Sequence, residues 1–167
     1  MFKSSKNFHR GFNEWIWIRG YEADNYKSGP LPKKDEIDYW LPKELQTETY
    51  VRFFTRCLMN MYGRDKEEDY FVANVMREAV RWLEHNVDKE KKFLLIESWS
   101  PHEPWFVPKY YRDIYCDESY PQQVLSLYRD VSDVSPELIK STQANYSGLV
   151  TMCDKWFGYL YMKLLLI

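Results

Sequence analysis

Cysteine is scarce and scattered in this chain. Its three cysteines, Cys57, Cys116 and Cys153, are odd in number and form no CxxC pair, so neither a disulfide framework nor a zinc site is indicated. A dominant charge is also lacking. Lys and Arg number 23 against 25 Asp and Glu, a formal charge of −2, and no single-sign field is present to recruit nucleic acid or an anionic membrane. Residues 1–10 are polar and basic without an apolar h-region. The apolar end, residues 156–167, is too short and too interrupted by Lys163 to span a bilayer, so a soluble chain is expected. What the chain does have is apolar and aromatic content, 45% and 18%, enough to exclude disorder and, over 167 residues, to build one domain with a real core.

Read in order, the β-formers of residues 14–18 predict a strand or extended segment. Residues 22–42 carry Gly29, Pro30, Pro32 and Pro42 amid charges, the composition of a surface connection without regular structure. Tyr50, Phe54, Cys57, Leu58 and Met61 recur at helical spacing and predict a helix over residues 46–60. Over residues 68–86, Val72, Val75, Met76, Ala79, Val80 and Leu83 follow one stripe of an amphipathic helix, with Asp69 suited to cap its start and Asn86 its end. A turn of helix is expected within residues 107–115, and no structure is assigned to residues 117–134. Ser135-Pro136-Glu137 marks a helix start: an N-cap serine, proline at the first position and an acid in the first turn. A stripe of Leu138, Thr142, Tyr146, Leu149, Cys153, Phe157, Leu160 and Leu164 predicts one continuous helix towards the C-terminus. Asp154 beside that stripe reads as a buried, hydrogen-bonded carboxylate.

Residues 93–105, FLLIESWSPHEPW, pass from an apolar run into a polar loop. Phe93, Leu94, Leu95 and Ile96 read as a strand covered on both faces. Beyond the carboxyl end of such a strand is where ligands bind in open α/β sheets, which singles out His102, flanked by Pro101 and Pro104. Composition alone leaves open a rigid turn with an idle histidine. Lys109 and Arg112 nearby read as a solvated face, and Trp15, Trp17 and Trp82 as core.

Three stretches resemble the sulfatases of the alkaline-phosphatase-like superfamily. Asn7-Phe8-His9-Arg10-Gly11-Phe12, running through residues 15–20 into Tyr21-Glu22-Ala23-Asp24, is similar to the segment in which such proteins carry an RGxExD pattern. Asp69-Tyr70-Phe71-Val72 through Ala79-Val80-Arg81-Trp82-Leu83-Glu84 looks like the helix before the strand that leads into a PHEPW-like loop, here residues 101–105. Tyr146, Val150, Asp154, Phe157, Gly158 and Leu160 match a Y…V…D..vG.L helix. The resemblance implies an α/β fold, a partial mixed-sheet α/β sandwich that is helix-rich in this segment, with residues 1–167 forming the middle part of a sulfatase catalytic domain. It implies a sulfuric ester hydrolase in which His102 contacts the sulfate group of a sulfate ester substrate. Glu103 and Trp105 carry no role beyond shaping the loop.

The resemblance also implies a formylglycine nucleophile and a divalent metal, Ca or Mg, for a complete family member. None of the three cysteines lies in the C/S-x-P-S-R or C-x-A-x-R motif, and adjacent acids such as those of Lys66-Glu67-Glu68-Asp69 fall in stretches read as solvated. No catalytic and no metal-ligating residue is therefore assigned here, and the chain alone is expected to be inactive and prone to self-association through uncovered apolar surface. Two alternatives remain open: a non-catalytic binding or scaffold protein derived from the same fold, and a phosphoester hydrolase of the same superfamily.

Overall fold

Short-range signals place the helices. The computed structural model describes residues 7–20, 23–125 and 129–166, and among these described residues five α-helices form: α1 Lys34–Trp40, α2 Glu48–Met61, α3 Phe71–His85, α4 Lys109–Arg112 and α5 Pro136–Leu164. Ser135 caps α5 as its sequence suggests, its Oγ accepting from Leu138 N at 3.2 Å, with Pro136 in the first turn. Thr47 caps α2 in the same way through Tyr50 N. The end of α2 is followed by Gly63 at φ 81°, left-handed backbone that suits glycine. Asn86 closes α3, its side-chain amide donating to Trp82 O at 2.8 Å. The start of α3 differs from expectation. Asp69 belongs to a preceding 3₁₀ turn, Glu67–Asp69, and Tyr70 holds the N-cap position without a side-chain bond. Helix α1 lies inside residues 22–42, which were expected to be irregular. Its first turn is held by Glu36, whose carboxylate accepts from Lys33 N at 2.6 Å.

Two apolar clusters fill the interior. In the first, Val72, Met76, Ala79 and Val80 of α3 meet Leu149, Met152, Trp156 and Leu160 of α5, together with Val107 and Tyr111. The second joins Leu41, Leu45, Phe54, Cys57 and Phe71 to Phe106, Val124, Leu125 and Leu138. The buried stripe of α5 is rotated from the expected one: Tyr146, Phe157 and Leu164 are exposed, while Ser141, Ala144, Asn145 and Gly148 are buried. Asp154 is exposed, not buried. Residues 121–125, assigned no structure from sequence, are stitched into the core. Gln122 is 3% exposed and donates to Val107 O at 2.6 Å while accepting from Tyr39 Oη. Val124 N donates to Trp40 O and Leu125 N to Thr142 Oγ1. Part of the excursion, residues 126–128, lies outside the described residues.

The expectation of an α/β fold, a mixed-sheet α/β sandwich of the alkaline-phosphatase-like type, is corrected by this architecture. Among the described residues no strand and no sheet forms. The two segments read as strands, residues 14–18 and 93–96, form neither strand nor ladder. The reason is visible in the second of them. Leu94 and Ile96 pack on the α3–α5 cluster, whereas Phe93 and Leu95 are 73% and 58% exposed. The run is one-sided, its side chains alternating as those of any extended chain do, and a helix pair takes the place of a neighbouring strand. Phe93 instead stacks on Phe12, with ring centroids 6.2 Å apart. The Glu22 position of the RGxExD-like stretch lies outside the described residues, while Arg19 and Asp24 form an ion pair.

The crossing of α4 over α5 occurs at Gly148, where a Cβ would meet Arg112 N at 2.9 Å and Tyr111 C at 2.9 Å. Both are backbone atoms and cannot swing aside. Gly148→Ala is therefore expected to lower stability by about 1–3 kcal/mol through overpacking. Gly158→Ala in the same helix, where a Cβ meets nothing within 4 Å, should stabilise by up to about 1 kcal/mol from helix propensity. Urea denaturation of both variants checks the contrast, and equal shifts would remove the close approach as its cause.

Candidate functional site

The loop that follows the extended 93–96 segment is fixed at both ends. After it, Trp105, Phe106 and Val107 alternate between the two clusters. Trp105 and Val107 join the first and Phe106 the second, as the period of two of an extended chain requires. Trp105 also sits edge-on to Tyr146 of α5, centroids 5.8 Å apart, and its indole N–H donates to Pro101 O at 3.1 Å. This last bond closes the loop on itself. Within it, His102 N donates to Trp99 O at 2.7 Å, a tight turn. Ser100–Pro101 and Glu103–Pro104 are both cis. The Ser100 side chain is buried, and its Oγ has no protein partner.

At the tip, the His102 side chain is 45% exposed. The imidazole sits beside Trp99, with ring centroids 4.9 Å apart and planes tilted by 52°. Its Nδ1 is 2.9 Å from the carbonyl oxygen of Glu103 and 3.2 Å from the Glu103 carboxylate. Sequence reasoning singled out His102 and gave Glu103 no part. The signal that could have found it is adjacency alone, which does not fix where a side chain turns. Lys109 pairs with Asp113 at the surface, but Arg112, read as solvated, is fully buried. Arg112 donates to Tyr120 O at 2.8 Å and lies 2.8 Å from Asp113 Oδ1.

A second polar constellation was missed altogether. Glu67, read as part of a solvated stretch, has a side chain only 9% exposed. Its carboxylate accepts from Tyr110 Oη at 2.6 Å, Tyr111 Oη at 3.0 Å, Trp156 Nε1 at 2.8 Å and Lys155 Nζ at 2.9 Å. Burial pushes this carboxyl up, but the bonds from Lys155, Tyr110 and Tyr111 together hold it below the ordinary carboxylate value. Burial and then Glu67 push both tyrosines up. All the donors are satisfied and the carboxylate is saturated, so the cluster ties the 3₁₀ turn before α3 to α4 and α5 and presents no reactive group.

Among the described residues, a surface cavity of about 590 Å³ is lined by Lys66, Glu68, Arg77, Trp156 and Tyr159, and another of about 400 Å³ lies beside Trp40, Tyr70 and Phe106. His102 lines neither. Among the described residues no three His, Cys, Asp or Glu side chains converge as a metal would require. The thiols are a buried Cys57, a half-buried Cys153 pushed by burial up to about 11, and Cys116 beside the Arg112 guanidinium. Among the described residues the donor set does not fit a calcium or magnesium site, and none of the three cysteines lies in a formylglycine motif. No helix among the described residues is long and apolar enough to cross a membrane. No protein-family model, curated protein or solved structure matches the chain.

Proposed function

We propose that this chain is a sulfate-recognising segment of a sulfuric ester hydrolase, with His102 as the group that contacts the sulfate of the ester substrate. The observation that carries the proposal is the loop geometry: an imidazole set beside Trp99 and tied through Nδ1 to Glu103, in a side chain that is 45% exposed. A ring held in this way is pre-oriented, and pre-oriented donors lose little on meeting a developing oxyanion. The resemblance of residues 7–24, 69–84, 101–105 and 146–160 to sulfatases supplies the substrate class. His102 is a substrate-binding residue in this reading. No residue described above is assigned as the bond-breaking nucleophile or as a ligand to a divalent cation.

In a protein that carries this segment together with a nucleophile and metal ligands, His102→Ala is expected to lower kcat/KM for an aryl sulfate by about 10²-fold, the usual loss when one donor to a developing oxyanion is removed. The fold should be retained, because the ring is on the surface. Steady-state hydrolysis of 4-nitrophenyl sulfate checks this, with 4-nitrophenyl phosphate run in parallel. Unchanged turnover of the sulfate ester would overturn the assignment of His102. A phosphate ester preferred over the sulfate ester would shift the substrate class.

A further inference from the structure

We propose that Glu103 is a positioning residue that fixes the tautomer of His102, so that an anion bound at the other ring nitrogen is taken up together with one proton. The sulfate part rests on the reading of His102 above, whereas the tautomer part does not.

Both groups that face Nδ1 are acceptors: the Glu103 carbonyl oxygen at 2.9 Å and the Glu103 carboxylate at 3.2 Å. Neither can donate, so Nδ1 must carry the hydrogen in the neutral ring as well as in the charged one. Nε2 has no partner among the described residues, and the side chain is open to solvent. A neutral imidazole whose hydrogen is committed at Nδ1 offers a lone pair at Nε2. That lone pair repels a sulfate oxygen. For His102 to donate to the anion, Nε2 must first take a proton from solvent, giving an imidazolium whose Nδ1–H stays on Glu103 and whose Nε2–H points to the sulfate.

Proton balance then sets the pH dependence. The groups facing the ring are Trp99, which is uncharged, and Glu103, the one acidic side chain within ion-pair distance of it among the described residues. With Nδ1–H already committed to Glu103, the proton exchanged on binding is the one that His102 takes up at Nε2. Sulfate affinity should be greatest when the ring is charged, and should fall about tenfold for each pH unit once the ring is neutral, the slope of a single linked proton.

The chain has three histidines, which makes long-range ¹H–¹⁵N correlation of the imidazole nitrogens a direct test, with His102 assigned by loss of its signals in His102→Gln. The expected result for the neutral ring is a protonated Nδ1 and a bare Nε2. In Glu103→Leu the backbone carbonyl at 2.9 Å remains and only the carboxylate is lost, so the Nδ1–H population should fall in part, with the signals of His9 and His85 unmoved. Titration with inorganic sulfate should raise the charged fraction of His102 and show the tenfold-per-unit decline. A neutral His102 protonated at Nε2 in the unaltered chain would overturn the proposal whatever the variants do. The expected tautomer with no response of His102 to sulfate would leave the role of Glu103 standing and sink the sulfate reading. Sulfate affinity independent of pH would overturn the proton uptake.

Discussion

Phe106→Ala is expected to destabilise the protein by about 3–5 kcal/mol, the range for truncating a buried phenylalanine. The ring is 1% exposed, with its centroid 4.6 Å from that of Trp40 and 6.0 Å from that of Phe54. It therefore joins the end of α1 to α2 at the centre of the second cluster, and its removal leaves a void that none of these rigid rings can close. A second consequence follows from its place in the chain. Phe106 is the wedge between Trp105 and Val107, which face the other cluster, and the same three residues terminate the His102 loop. Weakening the wedge should loosen the loop before the chain unfolds. Urea denaturation followed by circular dichroism gives the stability loss, and the His102 imidazole signals report the loop. A loss below about 1 kcal/mol would mean that Phe106 is not the anchor its burial implies.

Glu67→Ala is the other large change. It removes the acceptor shared by Tyr110, Tyr111, Lys155 and Trp156. Tyr111 and Trp156 are 6% and 7% exposed, so two donors are left with little access to water, at about 1–3 kcal/mol each. A loss of about 3 kcal/mol is expected, a large share of the roughly 5–15 kcal/mol that holds a domain folded. The surface partner Lys155 contributes little of this. Glu67→Gln keeps one acceptor oxygen and should lose less.

The pH dependence has a definite sign. Despite the upward push of burial, the bonds from Lys155, Tyr110 and Tyr111 leave the Glu67 carboxyl below its ordinary value in the folded chain. Its contribution is thus fully present above the unfolded carboxylate value and is lost as pH falls through the lowered folded one. Acid unfolding of Glu67→Ala should accordingly show a flatter pH dependence than that of the unaltered chain. Parallel acid titrations of the two would contradict the assignment.

The candidate loop was legible because composition changes abruptly there. Four apolar residues give way to serine, proline and histidine within a few positions, and His102 stands out as the titratable tip. What could not be read was which atoms meet the ring. Glu103 turns back on its neighbour and Trp99 folds against it because the His102–Trp99 turn and the Trp105–Pro101 bond close the loop. These are contacts of conformation and carry no sequence periodicity. The apolar run before the loop illustrates the opposite case. A continuous hydrophobic string is compatible with a strand covered on both sides and equally with an extended chain lying on a helix pair, and only the neighbours distinguish them.

By itself the sequence determined the local elements of this protein. Ser135-Pro136 starts α5, the stripe from Val72 to Val80 buries one face of α3, and Asn86 ends it, because caps and helical periodicity depend on residues within one or two turns. The tertiary structure alone decided the absence of a sheet among the described residues, the rotation of the α5 stripe towards Ser141, Asn145 and Gly148, and the burial of Glu67 and Arg112. Each of these depends on a partner far along the chain: Tyr111 and Trp156 for Glu67, the backbone of α4 for Gly148, and α3 with α5 for Leu94 and Ile96. A charged residue in a polar stretch carries no mark of the distant donors that will enclose it, and an extended segment becomes a strand only when another backbone arrives to pair with it.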